Sequence, residues 1–221
     1  MTVTCGDIDF DLKLAEFKIN GYAVFEDMIS LDTIDRIHAA FAPLLDHVRE
    51  RETEISPVER GEVRQGLGRL QTTNRYTLTI PWQLPFADPA IYEHPVILEF
   101  LERYWKTDDY IVTCYHSNTP CPGSKFQHWH RDTALAREIP HVGLEICPVV
   151  GVKFPLVDTA EENGSFEVLP STQYLADPEL ESRYNELLLR GHFPSAPRLN
   201  LKKGSMWVQA VRTLHRGTPH S

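Results

Sequence analysis

The run Phe126-Gln127-His128-Trp129-His130-Arg131-Asp132 sets two imidazoles and a carboxylate within five positions. In extended chain, residues i and i+2 face the same way, so His130 and Asp132 can converge on one metal ion. A third ligand must come from elsewhere. His215, in Thr213-Leu214-His215-Arg216-Gly217 after the apolar run Met206-Trp207-Val208, is the strongest candidate. Two histidines and a carboxylate on one side of a metal leave three adjacent coordination positions open. That is the facial arrangement of non-heme Fe(II) oxygenases, in which a chelating co-substrate and O₂ fill the open places. A structural zinc site would fill all four positions with protein groups.

Two rival readings arise at the same residues. His128 shares its parity with His130 and competes to be the ligand beside Asp132, and a chain with ten histidines produces such triplets by chance. His-Arg-Asp also occurs in the catalytic loop of protein kinases, but that motif needs Asn five residues after the Asp. Position 137 is Arg137, so the kinase reading fails.

The elements that must position these groups follow from periodicity. Residues 10–18 read as a short helix ending before Gly21, and Tyr22-Ala23-Val24-Phe25 as a strand. Leu31, Ile34, Ile37, Phe41, Leu44, Leu45 and Val48 recur at three and four residues, the signature of an amphipathic helix capped by Ser30 or Asp32. Pro43 predicts a kink or restart within it. Residues 56–88 read as irregular, and Pro95 to Trp105 as a helix with Pro in its first turn. The second half reads as strands at 110–115, 144–157, 165–169, 198–201 and 205–211, with Glu162-Asn163-Gly164 as a tight turn or hairpin and a helix at 178–189. Helices followed by many short strands predict an α+β, mainly β fold with a sandwich or jelly-roll core, in a single domain spanning 1–221.

Composition narrows the function classes. The chain has 221 residues, 42% hydrophobic and 24% charged, which suits a globular domain able to bury its own core. A net charge of −9 disfavours nucleic-acid binding, which needs a basic surface. The longest apolar run, Ile146 to Val152, is interrupted by Pro148 and Gly151, so no membrane span is expected. Four cysteines at 5, 114, 121 and 147 form no CxxC, and Met1 to Phe10 has no basic residue. Both fit a cytoplasmic protein with reduced thiols.

Residues 110–217 resemble the phytanoyl-CoA dioxygenase-like branch of Fe(II)/2-oxoglutarate oxygenases. The matching pieces stand in order: Tyr115-His116-Ser117-Asn118-Thr119-Pro120, Pro122-Gly123-Ser124, Gln127, Trp129-His130-Arg131-Asp132, Phe154-Pro155-Leu156-Val157-Asp158, Glu162-Asn163-Gly164, Val168-Leu169-Pro170-Ser171-Thr172, Lys203-Gly204-Ser205 and Thr213-Leu214-His215-Arg216-Gly217. The resemblance implies a double-stranded β-helix (a jelly-roll or cupin-like barrel) with flanking N-terminal helices. It implies His130, Asp132 and His215 as Fe(II) ligands, in preference to His128. It implies 2-oxoglutarate and O₂ as co-substrates, with Asn118 and Gln127 at places that contact 2-oxoglutarate, and hydroxylation of a small organic molecule.

Other residues read less specifically. Trp129 alternates away from His130 and is expected in the core. Arg216 should point away from the metal. Gln71, Thr73 and Arg75 lie where they could roof the site. Arg75 could hold a carboxylate or phosphate, although an exposed loop arginine is the plainer reading. Lys202-Lys203 reads as a solvated turn. The family also places an arginine about ten residues beyond the distal histidine, where its cationic fork pairs with the far carboxylate of 2-oxoglutarate. This sequence ends at Ser221, six residues after His215. The resemblance then implies a chain truncated before its last strand, another cation in that arginine's place, or loss of co-substrate binding. Two rival functions follow: a cupin-like metalloenzyme that ignores 2-oxoglutarate, and a truncated non-catalytic barrel that binds a ligand or partner.

Overall fold

The computed structural model describes residues 3–50, 69–132, 146–174 and 196–221, with backbone alone over 69–72. Helix α1 (Phe10–Asn20) starts where the Asp9 side chain accepts from Leu12 N at 3.0 Å. It stops at Gly21, whose φ of 80° lets its N–H reach back to Phe17 O. Strand β1 (Tyr22–Phe25) follows directly. Helix α2 (Leu31–Glu50) begins with Ser30 Oγ accepting from Thr33 N at 3.2 Å, and it runs through Pro43 as one helix rather than restarting. A short hairpin of β2 (Arg69–Thr72) and β3 (Arg75–Thr77) occupies part of the stretch expected to be irregular. Helices α3 (Pro89–Tyr92) and α4 (Pro95–Trp105) both start on proline.

The remaining strands among the described residues are β4 (Thr119–Pro120), β5 (Val150–Lys153), β6 (Phe166–Val168), β7 (Arg198–Leu199), β8 (Met206–Ala210) and β9 (His215–Arg216). They assemble with β1 to β3 into three antiparallel sheets ordered β1-β8-β5, β2-β3-β4 and β7-β6-β9. Among the described residues the fold is therefore mixed helix and strand, as the order of expected helices and strands predicts, and these sheets do not close into a barrel.

Alternation along β8 divides the molecule into two regions. Met206, Val208 and Ala210 face the main core with Ala23 and Phe25 of β1. Trp207 and Gln209 face the other way, toward the third sheet. In the main core, Phe17 of α1 and Phe100 of α4 meet edge-on at 5.5 Å, and Phe25 joins Phe100 at 5.4 Å. A fully buried Phe contributes about 1.5–3 kcal/mol relative to an exposed one, so this trio ties both helices to the first sheet.

Two expected elements differ. The 110–115 run is rich in β-formers, yet it contacts the β3 side only from Tyr115 onward, through Ile80 N to Tyr115 O and Ser117 N to Leu78 O. Ile111 to Cys114 are exposed, because no ladder partner lies beside them among the described residues. Glu162-Asn163-Gly164 forms a tight turn, but not a hairpin between neighbours: β5 pairs with β8, and β6 with β7 and β9. The helix expected at 178–189 lies outside the described residues. No helix among the described residues is long and apolar enough to cross a membrane.

Candidate metal centre

His130 and His215 are directly opposed across an antiparallel bridge. The opposition puts both imidazoles on one side, with ring centroids 4.4 Å apart. Asp132 lies two residues past His130, pinned by its own N–H to Val211 O at 3.0 Å. Its Oδ1 stands 3.2 Å from His215 Nε2 and 3.7 Å from His130 Nε2. One ligand atom from each of the three lies within 4.8 Å of the others, the one such His/Cys/Asp/Glu group among the described residues.

The outer contacts decide which ring nitrogen is available. His130 Nδ1 is 2.8 Å from the His128 carbonyl, which can only accept. The proton therefore sits on Nδ1, and Nε2 presents its lone pair toward Asp132. Two partners compete at His215 Nδ1: the Thr213 carbonyl at 2.8 Å and the Gln209 amide nitrogen at 2.9 Å. The first puts the proton on Nδ1 and bares Nε2 for a metal. The second puts it on Nε2, where it donates to Asp132. A metal ion selects the first arrangement. Two imidazole nitrogens and one carboxylate oxygen, converging from one side, fit a first-row divalent ion with open positions.

The surrounding groups also keep Asp132 ionised. Burial alone would push the Asp132 carboxyl up, but the His215 hydrogen bond and the neighbouring charges of His215, Lys153 and His130 outweigh it and hold the group well below the usual carboxylate range. Burial, then the nearby His215, pushes His130 down, toward the neutral ligand form. Lys153 Nζ sits 3.8 Å from Asp132 Oδ2, donates to Gln209 Oε1 at 2.6 Å, and lies 4.6 Å over the Phe166 ring. Burial lowers the Lys153 ammonium, while Asp132 works against that shift.

Of the residues singled out from sequence, His130, Asp132 and His215 come together. His128 is exposed and contributes only its carbonyl. Trp129 is buried against Leu214, on the side away from the triad. Arg216 also turns away, pairing with Glu167 at 2.5 Å and lying 4.2 Å over Phe126. Gln127 Oε1 accepts from Gly217 N at 2.7 Å, two residues beyond His215. Asn118 Oδ1 accepts from Arg75 at 3.2 Å. Lys202 and Lys203 pair with Asp158 and Asp35 on the surface. Thr73 is exposed in the hairpin turn, and the Gln71 side chain lies outside the described residues.

Arg75 corrects the plainer sequence reading. It is 1% exposed rather than a solvated loop residue. The hairpin supplies the reason, because β3 carries it inward between β2 and β4. Lys153 and Gln209 were not anticipated. Their signal was one polar residue inside each otherwise apolar run, Val150-Gly151-Val152-Lys153-Phe154 and Met206-Trp207-Val208-Gln209-Ala210.

The triad opens onto a wide cleft that Arg75, Asn118 and Lys153 also line. Its outer wall is aromatic: Trp82 packs 5.3 Å from Tyr92 and 5.7 Å from Tyr115.

Several solved structures share this architecture. AviO1 from Streptomyces viridochromogenes Tue57 superposes with a TM-score of 0.65 at 19% identity, covering 99% of this chain and 90% of that one. EvdMO1 gives 0.62 at 19% identity over 95% of this chain, which spans only 46% of EvdMO1. SnoN, described as a non-heme alpha-ketoglutarate-dependent epimerase from nogalamycin biosynthesis, gives 0.55 at 14% identity over 96% of this chain and 75% of its own. At these identities the likeness is one of fold. The phytanoyl-CoA dioxygenase (PhyH) family model matches residues 17–221, from within α1 to beyond β9, and the chain belongs to that family.

Proposed function

We propose that this protein is an Fe(II)- and 2-oxoglutarate-dependent oxygenase acting on a small organic molecule, built on a double-stranded β-helix. The observation that carries the reading is the convergence of His130 Nε2, Asp132 Oδ1 and His215 Nε2 from one side of a cleft. Family membership supports the choice of iron and 2-oxoglutarate.

When bound, iron with the keto acid and O₂ would supply the oxidising power for attack on a C–H bond, with loss of CO₂ and formation of succinate. His130, Asp132 and His215 would hold the metal, and their one-sided placement would leave room for co-substrate. The His128 and Thr213 carbonyls keep protons on the outer imidazole nitrogens and so orient both rings. Gln209 and Lys153 fix the far side of the site. Asp132 as a carboxylate ligand favours hydroxylation over halogenation, which needs that coordination place free for a halide. The aromatic wall of Trp82, Tyr92 and Tyr115 suits a substrate with an apolar or ring-shaped face.

A second outcome is epimerisation, in which hydrogen is removed from carbon and returned to the opposite face. The epimerase SnoN, on a similar fold, favours keeping it in view.

The test is anaerobic addition of Fe(II) to metal-free protein, with and without 2-oxoglutarate, while recording the visible charge-transfer band of a chelated keto acid. A band in the wild type that disappears in His130→Ala is the expected result. Iron binding without any band would remove 2-oxoglutarate from the proposal, and no iron binding would overturn it.

A further inference from the structure

Val211 lines the metal cleft, but its neighbour Arg212 lines a separate pit between α1, α4 and the turn after β8. No described residue lines both. Arg212 is 3% exposed and its Nη1 has no partner. Among the described residues no carboxylate lines the pit. A buried cation left uncompensated is costly, so an anion in this pit would relieve it.

Two further side chains define what the anion must look like. Tyr104 lines the pit, and its hydroxyl accepts from Cys147 N at 2.6 Å, which leaves the phenolic proton to donate. Burial pushes this phenol up to about 12, against the pull of the Cys147 hydrogen bond and of Arg212, so it keeps that proton. Gln173, in the 3-10 turn Thr172–Tyr174, is 5% exposed. Its Nε2 donates to Lys18 O at 2.9 Å and Ile19 O at 3.4 Å, and those two carbonyls fix the orientation of the amide. Gln173 Oε1 is therefore an acceptor, and it has no partner. The pit offers a positive charge, two donors and one acceptor. A water could satisfy the donors and the acceptor but would leave the charge unbalanced. An oxyanion that retains a hydroxyl meets all of these: its charged oxygen takes the Arg212 and Tyr104 protons, and its hydroxyl donates to Gln173 Oε1. The interior, about 10 Å³ for a water-sized group, limits the occupant to a small one seated partly in the mouth. Lys18 is exposed at that mouth and adds positive charge.

We propose that Arg212, Tyr104 and Gln173 form a binding site, apart from the metal cleft, for a small oxyanion bearing a hydroxyl group: hydrogen phosphate or bicarbonate. The site stands on its own geometry and does not depend on the function proposed above.

The experiment is calorimetric titration of the full chain, free of metal so that no anion can bind iron, with inorganic phosphate, bicarbonate, sulfate and chloride at matched ionic strength and mildly alkaline pH. Phosphate or bicarbonate should bind, and the tighter of the two identifies the occupant. Sulfate has no proton to give, so it would face Gln173 Oε1 acceptor to acceptor and should bind at least about tenfold more weakly. Arg212→Met should abolish binding, and Tyr104→Phe should weaken it several-fold. Lys153→Met, which removes a cation from the metal cleft, should leave it intact. Absence of binding by both phosphate and bicarbonate would overturn the site whether or not the Arg212 variant folds, and would give the pit to water. Sulfate binding as tightly as phosphate and bicarbonate would overturn the hydroxyl-bearing assignment. Binding lost in Lys153→Met and kept in Arg212→Met would place the anion in the metal cleft and overturn the proposal.

Discussion

His130 and His215 exchange both of their backbone hydrogen bonds, His130 N to His215 O at 3.1 Å and His215 N to His130 O at 3.0 Å. Two of the three candidate ligands are therefore set by main-chain geometry. Removing a side chain leaves that bridge standing.

From this follows the first expectation. His130→Ala, Asp132→Ala and His215→Ala should each fold and each weaken Fe(II) binding by more than about 100-fold, since loss of an outer-shell partner alone costs roughly 10–100-fold. Anaerobic metal titration alongside circular dichroism checks it. Near-wild-type affinity in any of the three would remove that residue from the ligand set.

Acid should destabilise the metal-free protein in two stages. His130 and His94 are both pushed down by burial, so the unfolded chain takes up their protons first as pH falls. Stability is full above the ordinary histidine value of about 6.5 and declines below it. Asp132 is held down in the fold, so its contribution is present above the ordinary aspartate value of about 3.9 and is lost below it. Thermal melts across pH would resolve both slopes. His130→Gln should flatten the upper one, and an unchanged slope would count against the burial argument.

Gly217→Ala tests the close approach beneath Arg75. The added methyl group has no free space, so Arg75 or Gln127 must move. We expect a loss of about 1–3 kcal/mol in stability, as for other overpacked sites. Iron affinity should stay nearly unchanged, because the triad itself is not crowded. Denaturant titration and anaerobic metal titration report the two effects separately.

Phe100→Ala tests the scaffold. Phe100 is completely buried and meets both Phe17 and Phe25 edge-on. A cost of about 3–5 kcal/mol is expected by chemical denaturation. A value under about 1 kcal/mol would mean that α4 contributes little to holding the first sheet.

Local signals made much of this legible in sequence. Gly21 ended α1, the three-and-four spacing from Leu31 to Val48 gave α2, and the Pro95 start gave α4. Apolar runs located β1, β6, β7 and β8 to within two residues, and the longer run at 144–157 contains β5. The triad was readable because His130 and Asp132 are neighbours in sequence, and because His215 stood in a motif that the resemblance supplied. The burial of Arg75 was not readable, because burial of a polar residue in a loop-like stretch depends on which strands flank it. Of the kink or restart expected at Pro43, the restart does not occur, because Pro43 lies within one continuous α2. The 110–115 run shows that β-propensity alone does not create a ladder partner.

The Gly21–Thr213 contact carries a kinetic consequence. Thr213 Oγ1 donates to Gly21 O across 192 positions, and the Thr213 carbonyl in turn orients His215. Arg75 meets Thr218 across 143 positions, and Gly217 meets Gln127 across 90. Contacts between such distant segments form slowly, because each needs a large loop to close. The complete site therefore assembles late in folding. Iron cannot template this fold in the way zinc templates a small finger domain. Metal capture should trail the recovery of helical signal in refolding, and its lag would time the closing of the chain on itself.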